Sequence, residues 1–272
     1  MIQNPIDTPG QRYKVVVWAT GRVGKLAIRA IADRPNFDLV GVWVHSESKD
    51  GLDAGTLAEI DPLGVPATRD KQAILDGDAD CVVYTGPATN RPREAIEDFI
   101  RILDAGKNIV TTSLPGLVYP RGSMRTSTVA RINEAGKRGN SSIYSTGIEP
   151  GFGCDLLAVA LTSMSSRVYS VRGIEITDYS RDTLDYEMRE LFGFGQPLGY
   201  QVGVKMPGII TFGWAPRSRW WRRGSAFNWT RSVSPVSSLP LRVDSRPAPV
   251  SSTRGRWGRS GSGASAWSTA RR

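Results

Sequence analysis

Between Tyr13 and Gly147 the apolar positions recur in two alternating periods. Lys14-Val15-Val16-Val17-Trp18 is an unbroken run of mostly β-branched residues, the pattern of a strand buried on both faces of a parallel sheet. Gly24 to Arg34 follows with Leu26, Ala27, Ala30 and Ile31 on one helical face, and Phe37 to Val44 reads as a second strand set off by Pro35-Asn36. Leu52 to Asp76 is less regular and predicts one or two short helices around Asp61-Pro62. Ala79 to Tyr84 is another buried strand. Arg91 to Ala105 keeps Ala95, Ile96, Phe99, Ile100 and Leu103 at helical spacing, with Gly106 as its stop. A strand at Asn108–Thr112, a helix at Ser123–Lys137 and a strand at Ser142–Ser145 complete the series. Strands alternating with helices in this way predict an α/β fold over residues 12–147: a Rossmann-type parallel sheet with helices on both faces.

After Gly147 the texture changes. Cys154 to Ser163 reads as an apolar helix, Tyr169 to Tyr179 as a strand carrying Val171, Ile174 and Ile176, and Leu184 to Phe192 as a short helix with a Gly-Phe-Gly exit. Residues 148–213 read as the opening of a second, incomplete α+β domain. From Trp214 the periodicity is lost, and 214–272 is expected to be a disordered basic tail of low complexity, because it lacks the apolar residues that offset chain entropy on folding.

Composition sharpens that division. The last 59 residues hold six of the eight tryptophans, thirteen serines and twelve arginines, with no lysine and with Asp244 as their one acidic residue. Residues 1–213 carry a net charge of −2, so the tail alone turns the chain into one of formal charge +9. Cys81 and Cys154 are too few for a disulfide framework and are read as buried, reduced thiols of a cytoplasmic protein. Met1 to Arg12 has no apolar core of the kind a signal peptide needs, and no apolar run approaches the ~20 residues of a membrane helix. No membrane partner is expected. His45 is the only histidine, which excludes a histidine-rich metal site.

The turn after the first strand carries the chemistry. Ala19-Thr20-Gly21-Arg22-Val23-Gly24 is a Gly-x-Gly-x-x-Gly fingerprint with Ala19 in place of the first glycine. Gly21 lets backbone approach a pyrophosphate, Gly24 lets helix pack on strand, and the helix N-terminus offers amides and dipole to the anion. The acidic residue that binds an adenosine ribose at the end of the second strand is missing; His45 and Ser46 stand there, and Lys49 is within reach of a 2′-phosphate. This leans towards NADP over NAD, with His45 and Lys49 as plain solvated loop residues the alternative. Thr85-Gly86 and Thr111-Thr112-Ser113 follow later strands and are candidates to line the nicotinamide end, or are simply well-satisfied turns.

Val17 to Gly24, Tyr84-Thr85-Gly86-Pro87, Gly106 to Thr112, and Thr146-Gly147-Ile148-Glu149-Pro150-Gly151-Phe152 occur in that order. Together they resemble the dihydrodipicolinate reductase-like superfamily, on the branch of the 2,4-diaminopentanoate (amine) dehydrogenase-like proteins, over residues 12–213. The resemblance implies an NAD(P)-dependent oxidoreductase that moves hydride at a C=N/C–N carbon of an amino acid or amine-like small molecule, with a homo-oligomeric assembly. It places Thr146–Phe152 at the hinge facing nicotinamide and substrate. Glu149 is then the candidate proton donor or acceptor, or the partner of a substrate ammonium, with an ordinary hinge residue as the alternative. Asp178, Tyr179 and Asp182 are weaker candidates. The paired-histidine signature and lysine motif of true dihydrodipicolinate reductases are absent.

Family members of this type continue through about a hundred further ordered residues. The tail therefore reads as an out-of-frame translation of a GC-rich gene, starting close to Gly213-Trp214, and catalytic activity without a completed second domain is left open. Two alternatives remain: non-catalytic dinucleotide binding, and a basic, aromatic tail that binds nucleic acid through phosphates and stacking. The missing lysines and the lack of a binding module argue against nucleic acid.

Overall fold

Along the first strand, Val15 and Val17 point to one side of the sheet and Val16 and Trp18 to the other, and all four are buried. The computed structural model describes residues 10–88, 91–121, 123–169, 178–179, 185–197 and 199–206. Its six strands are β1 (Tyr13–Trp18), β2 (Phe37–Trp43), β3 (Ala67–Thr68), β4 (Cys81–Tyr84), β5 (Asn108–Thr111) and β6 (Ile143–Ser145). They form one sheet in the order β3-β2-β1-β4-β5-β6, every pair parallel. The β1–β2 register slips by one residue between Val15 and Val16, leaving Val40 exposed and pairing Val16 with Gly41.

Among the described residues five α-helices connect the strands, α1 (Arg22–Ala32), α2 (Ala54–Ala58), α3 (Lys71–Asp76), α4 (Pro92–Asp104) and α5 (Thr126–Gly139), and α6 (Leu157–Thr162) follows β6. The chain leaves β1 in one direction along the sheet and later returns to β4 on its other side. Crossovers of constant hand therefore put α1 and α2 on one face and α3, α4 and α5 on the other. Two separate cores result. Val15, Val17, Ile28, Ile31, Val42 and Leu57 pack on the α1 side. Val16, Trp18, Val82, Phe99, Ile102 and Ile109 are among those on the α4 side. The predicted α/β architecture over 12–147 is the observed one, a Rossmann-type sheet with helices on both faces.

Element limits differ from the sequence pattern where caps decide them. α1 starts at Arg22 because Gly21 takes an extended N-cap conformation. α5 runs to Gly139 and ends on Asn140, which adopts the left-handed conformation of a helix stop (φ 49°). Residues 52–76 hold α2, β3 and α3. Asp53 starts α2 by accepting from the amides of Gly55 and Thr56, and its carboxylate also accepts from Leu63 and Val65.

Beyond β6, Ile148–Leu156 winds as a wide π-type turn, interrupted by non-helical backbone at Glu149, Pro150 and Gly151, and runs on into α6. None of the residues of α6 is buried. The short helix expected at 184–192 is a π-type turn over Glu187–Leu191, with Met188 buried. Of the strand expected at 169–179, only Tyr169, Asp178 and Tyr179 are described; Asp182, the side chain of Cys154 and the 214–272 tail lie outside the described residues. No helix among the described residues is long and apolar enough to cross a membrane.

Candidate functional site

The reversal of strand order falls between β1 and β4, whose connections leave in opposite directions and open a crevice at their carboxyl ends. The residues singled out in sequence sit along this rim. Ala19 to Gly24 form the turn from β1 into α1, and Thr85 and Gly86 follow β4. The two turns are joined directly: the Thr85 hydroxyl shares its proton between the carbonyls of Trp18 (3.1 Å) and Ala19 (3.0 Å).

Gly24 is a steric requirement of the turn, since a Cβ there would lie 2.0 Å from the Ala19 carbonyl oxygen and 2.9 Å from Thr85 Oγ1. A Cβ on Gly21 would meet nothing within 4 Å, so the backbone at the mouth of α1 faces open space. No side chain caps the first turn of α1 among the described residues, which leaves its amide donors and the positive end of its dipole for an outside anion. These features fit the diphosphate of a dinucleotide. Arg22 and Val23 are exposed at the same helix start. Ala19 holds φ 79° where a glycine would be unstrained; for an L-residue this region costs ~1–2 kcal/mol.

His45 and Ser46 are exposed just past the end of β2, the side of β1 opposite Thr85. His45 sets its ring edge against Trp43 (centroids 6.2 Å apart), and Ser46 Oγ lies 2.9 Å from Ser48 Oγ. Lys49 reaches back to the Ala19–Gly24 turn, its ammonium donating to the Thr20 carbonyl at 3.2 Å and the Thr20 hydroxyl at 3.1 Å. Thr20 itself is 4% exposed. Thr111 is 1% exposed, and its hydroxyl donates to the Tyr84 carbonyl while accepting from the Ser113 amide. Ser113 Oγ reaches the same Tyr84 carbonyl at 3.3 Å. Thr111 thus holds the β4 and β5 ends together from inside.

Glu149 stands four residues beyond β6, on a segment tied to β5 through the Thr146 amide and Thr111 carbonyl, and its Oε1 is buried. Tyr179 lies in a cluster of rings with Phe192 and Phe194, its ring stacked on Phe192 at 5.1 Å, a packing role. No cluster of His, Cys, Asp and Glu that could hold a metal ion occurs among the described residues.

One group at this rim escaped the sequence reading. Trp43, Trp18 and Tyr84 end three neighbouring strands in matched register, and their rings form a stacked row. Lys71, at the start of α3, lies over both indoles and ion-pairs at 2.5 Å with Asp98, which also accepts from the Tyr84 hydroxyl at 3.2 Å. Burial, with the neighbouring Asp98 carboxylate, pushes the Tyr84 phenol above its ordinary value, so it stays a hydrogen-bond donor. The one available signal was that Trp18 and Tyr84 end their predicted strands and Trp43 is the penultimate residue of its own.

The chain matches known proteins over this region. Residues 13–110 match the family model "Dihydrodipicolinate reductase, N-terminus". An amine dehydrogenase of Streptomyces virginiae is 36% identical over 237 residues, 85% of this chain and 65% of the relative. A 4-hydroxy-tetrahydrodipicolinate reductase of Synechocystis is 41% identical over 61 residues, 22% of each chain. The solved amine dehydrogenase of Mycobacterium smegmatis shares the fold, with TM-score 0.52 and 20% identity over 58% of this chain and 46% of that one. The chain thus spans less than two thirds of each of these relatives. The Streptomyces alignment covers more residues than 1–213 contains, so it runs past the compositional boundary at Trp214. The β1/β4 crevice, its glycine turn and these likenesses point the same way: residues 13–110 resemble the N-terminal part of dihydrodipicolinate reductases, and the longer match is to an amine dehydrogenase.

Proposed function

We propose that the chain binds a nicotinamide dinucleotide, NADP or NAD, across the β1/β4 rim, as part of an oxidoreductase that transfers hydride at a C=N/C–N carbon of an amine or amino-acid-like substrate. The observation that carries this reading is the fit of the Ala19–Gly24 turn: a helix brought into contact with its strand by Gly24, an uncapped first turn, and open space off Gly21. The names of the relatives, amine dehydrogenase and 4-hydroxy-tetrahydrodipicolinate reductase, support the reaction class.

In this reading the bound dinucleotide supplies the hydride donor or acceptor carbon. The amides of Gly21, Arg22 and Val23 hold the diphosphate, with Gly24 setting their approach. His45 and Ser46 flank the adenosine ribose, standing where the usual carboxylate would exclude a 2′-phosphate. Thr85 and Gly86 line the middle of the rim, and Thr111 fixes the β4 and β5 ends beneath the nicotinamide. Glu149 holds or receives the proton at the substrate nitrogen, or pairs with its ammonium. Self-association and a cytosolic location belong to the same proposal.

The test is a fluorescence titration of the full-length chain with NADH and with NADPH, followed by hydride transfer assays with primary amines and cyclic imines. Saturable binding of either cofactor supports the reading. A folded protein that binds neither would overturn it, and binding without turnover would reduce it to dinucleotide binding alone.

A further inference from the structure

The diphosphate turn is gripped from both sides. From β4, Thr85 holds the carbonyls of Trp18 and Ala19; from the turn after β2, Lys49 holds the carbonyl and hydroxyl of Thr20; and the Ala19 amide donates to the Trp43 carbonyl at 2.9 Å. The residue between these grips is Ala19, whose φ of 79° is the left-handed conformation that favours glycine. Strained backbone persists where its surroundings over-determine it, and here Thr85 fixes the peptides on both sides of the strained residue while Lys49 fixes the carbonyl and hydroxyl of the residue that follows it.

We propose that Lys49 and Thr85 form a clamp that keeps the turn in its anion-binding shape before any cofactor arrives, supplying by side-chain contacts what a glycine at position 19 would supply by its own freedom. Lys49 is then a positioning residue for nicotinamide dinucleotides in general, and not a selector of the 2′-phosphate. Its ammonium is committed to two acceptors on Thr20. Releasing it lets Ala19 relax to negative φ, which rotates the following peptides and turns the Gly21 and Arg22 amides away from the diphosphate. The inference rests on the dinucleotide reading above.

Four full-length proteins test it: wild type, Lys49→Met, Ala19→Gly and the double variant, each with a dissociation constant for NADH and NADPH and a thermal midpoint. Lys49→Met is expected to weaken both cofactors by the same factor, about tenfold, equivalent to ~1.4 kcal/mol. Ala19→Gly in that background is expected to restore both. Thr85→Val, close in shape, repeats the test from the other side of the turn and covers the case in which Lys49→Met folds poorly. Loss of NADPH binding alone would overturn the proposal and make Lys49 a 2′-phosphate ligand. Uniform loss that glycine fails to rescue would also overturn it, leaving Lys49 as a charge acting directly on the diphosphate. If the wild type binds neither cofactor, the dinucleotide reading falls and takes the cofactor role with it. The melting cycle then separates the two failures, because a clamp makes the midpoint shifts at 19 and 49 non-additive and its absence makes them add.

Discussion

Ala19 and Gly24, five positions apart in sequence, approach so closely that a Cβ on Gly24 would stand 2.0 Å from the Ala19 carbonyl oxygen. Gly24→Ala must therefore push α1 off β1, and overpacking of this kind costs ~1–3 kcal/mol. Gly21→Ala meets open space and a φ of −72° that any residue adopts. The pair separates fold from site. Gly24→Ala is expected to lower the thermal midpoint and cofactor affinity together, Gly21→Ala to leave the midpoint in place and raise the NADH dissociation constant alone.

Asp98 is held by Lys71 and by the Tyr84 hydroxyl in a nearly closed pocket beneath the aromatic row. Asp98→Ala leaves a lysine over two indoles without its counter-charge and is expected to cost ~2–4 kcal/mol. Tyr84→Phe removes one donor and is expected to cost ~1 kcal/mol. Urea unfolding at pH 7 measures both. Equal losses would show that the ion pair carries no more weight than the single hydrogen bond.

The Asp53 carboxylate lies well below its ordinary range, first through the Leu63 amide and then through those of Gly55 and Thr56. Asp38 and Glu59 are lowered too, by Arg12 and by Lys25 with Arg29 respectively. A carboxyl depressed in the folded state contributes stability that is present above its unfolded pKa of ~4 and is lost as pH falls through the folded value. The thermal midpoint is expected to drop from about pH 5 downwards. Asp53→Asn should lie below wild type at pH 7 and follow a shallower slope in acid.

Burial pushes the Cys81 thiol up to about 11. The thiolate is the reactive form, so in a Cys154→Ser background Cys81 should react with iodoacetamide at pH 8 far more slowly than a free thiol. Full reactivity should return in denaturant. Rapid modification of the native protein would show that β4 opens locally.

Much of this fold was legible because β1, β4 and α4 carry strong local patterns: Val15 to Trp18, Val82, Tyr84, Ala95, Phe99 and Leu103 are buried as their spacing predicts, while Cys81, Val83, Ile96 and Ile100 are half-buried. β3 was not, since two residues between Pro66 and Arg69 have no period to read, and pairing with Val42 and Trp43 alone makes them a strand. In the site, the Ala19–Gly24 turn and the Thr85 turn were visible as glycine and hydroxyl punctuation. That Thr85 bonds Ala19, or that Lys71 meets Asp98 across 27 positions, depends on which helices share a sheet face. The boundary at Trp214 was drawn from composition, and an alignment that passes through it shows that a change of residue content need not coincide with the limit of a relative's match.

At the sheet's carboxyl edge the mouth of α1 differs from the strand ends around it. The carbonyls of Trp18, Ala19, Thr20, Tyr84, Thr111 and Leu114 already accept from Thr85, Lys49, Ser113, Thr146 or Ser145, while the first turn of α1 stays uncapped by any described side chain. These carbonyl oxygens each hold a donor already, whereas no described side chain takes the first-turn amides of α1. Such a surface sorts small molecules by the sign of their charge: phosphates and carboxylates find donors, whereas hydrated cations find their usual oxygen ligands engaged. Because the discrimination resides in the main chain, it should survive replacement of the exposed side chains at Arg22 and Val23.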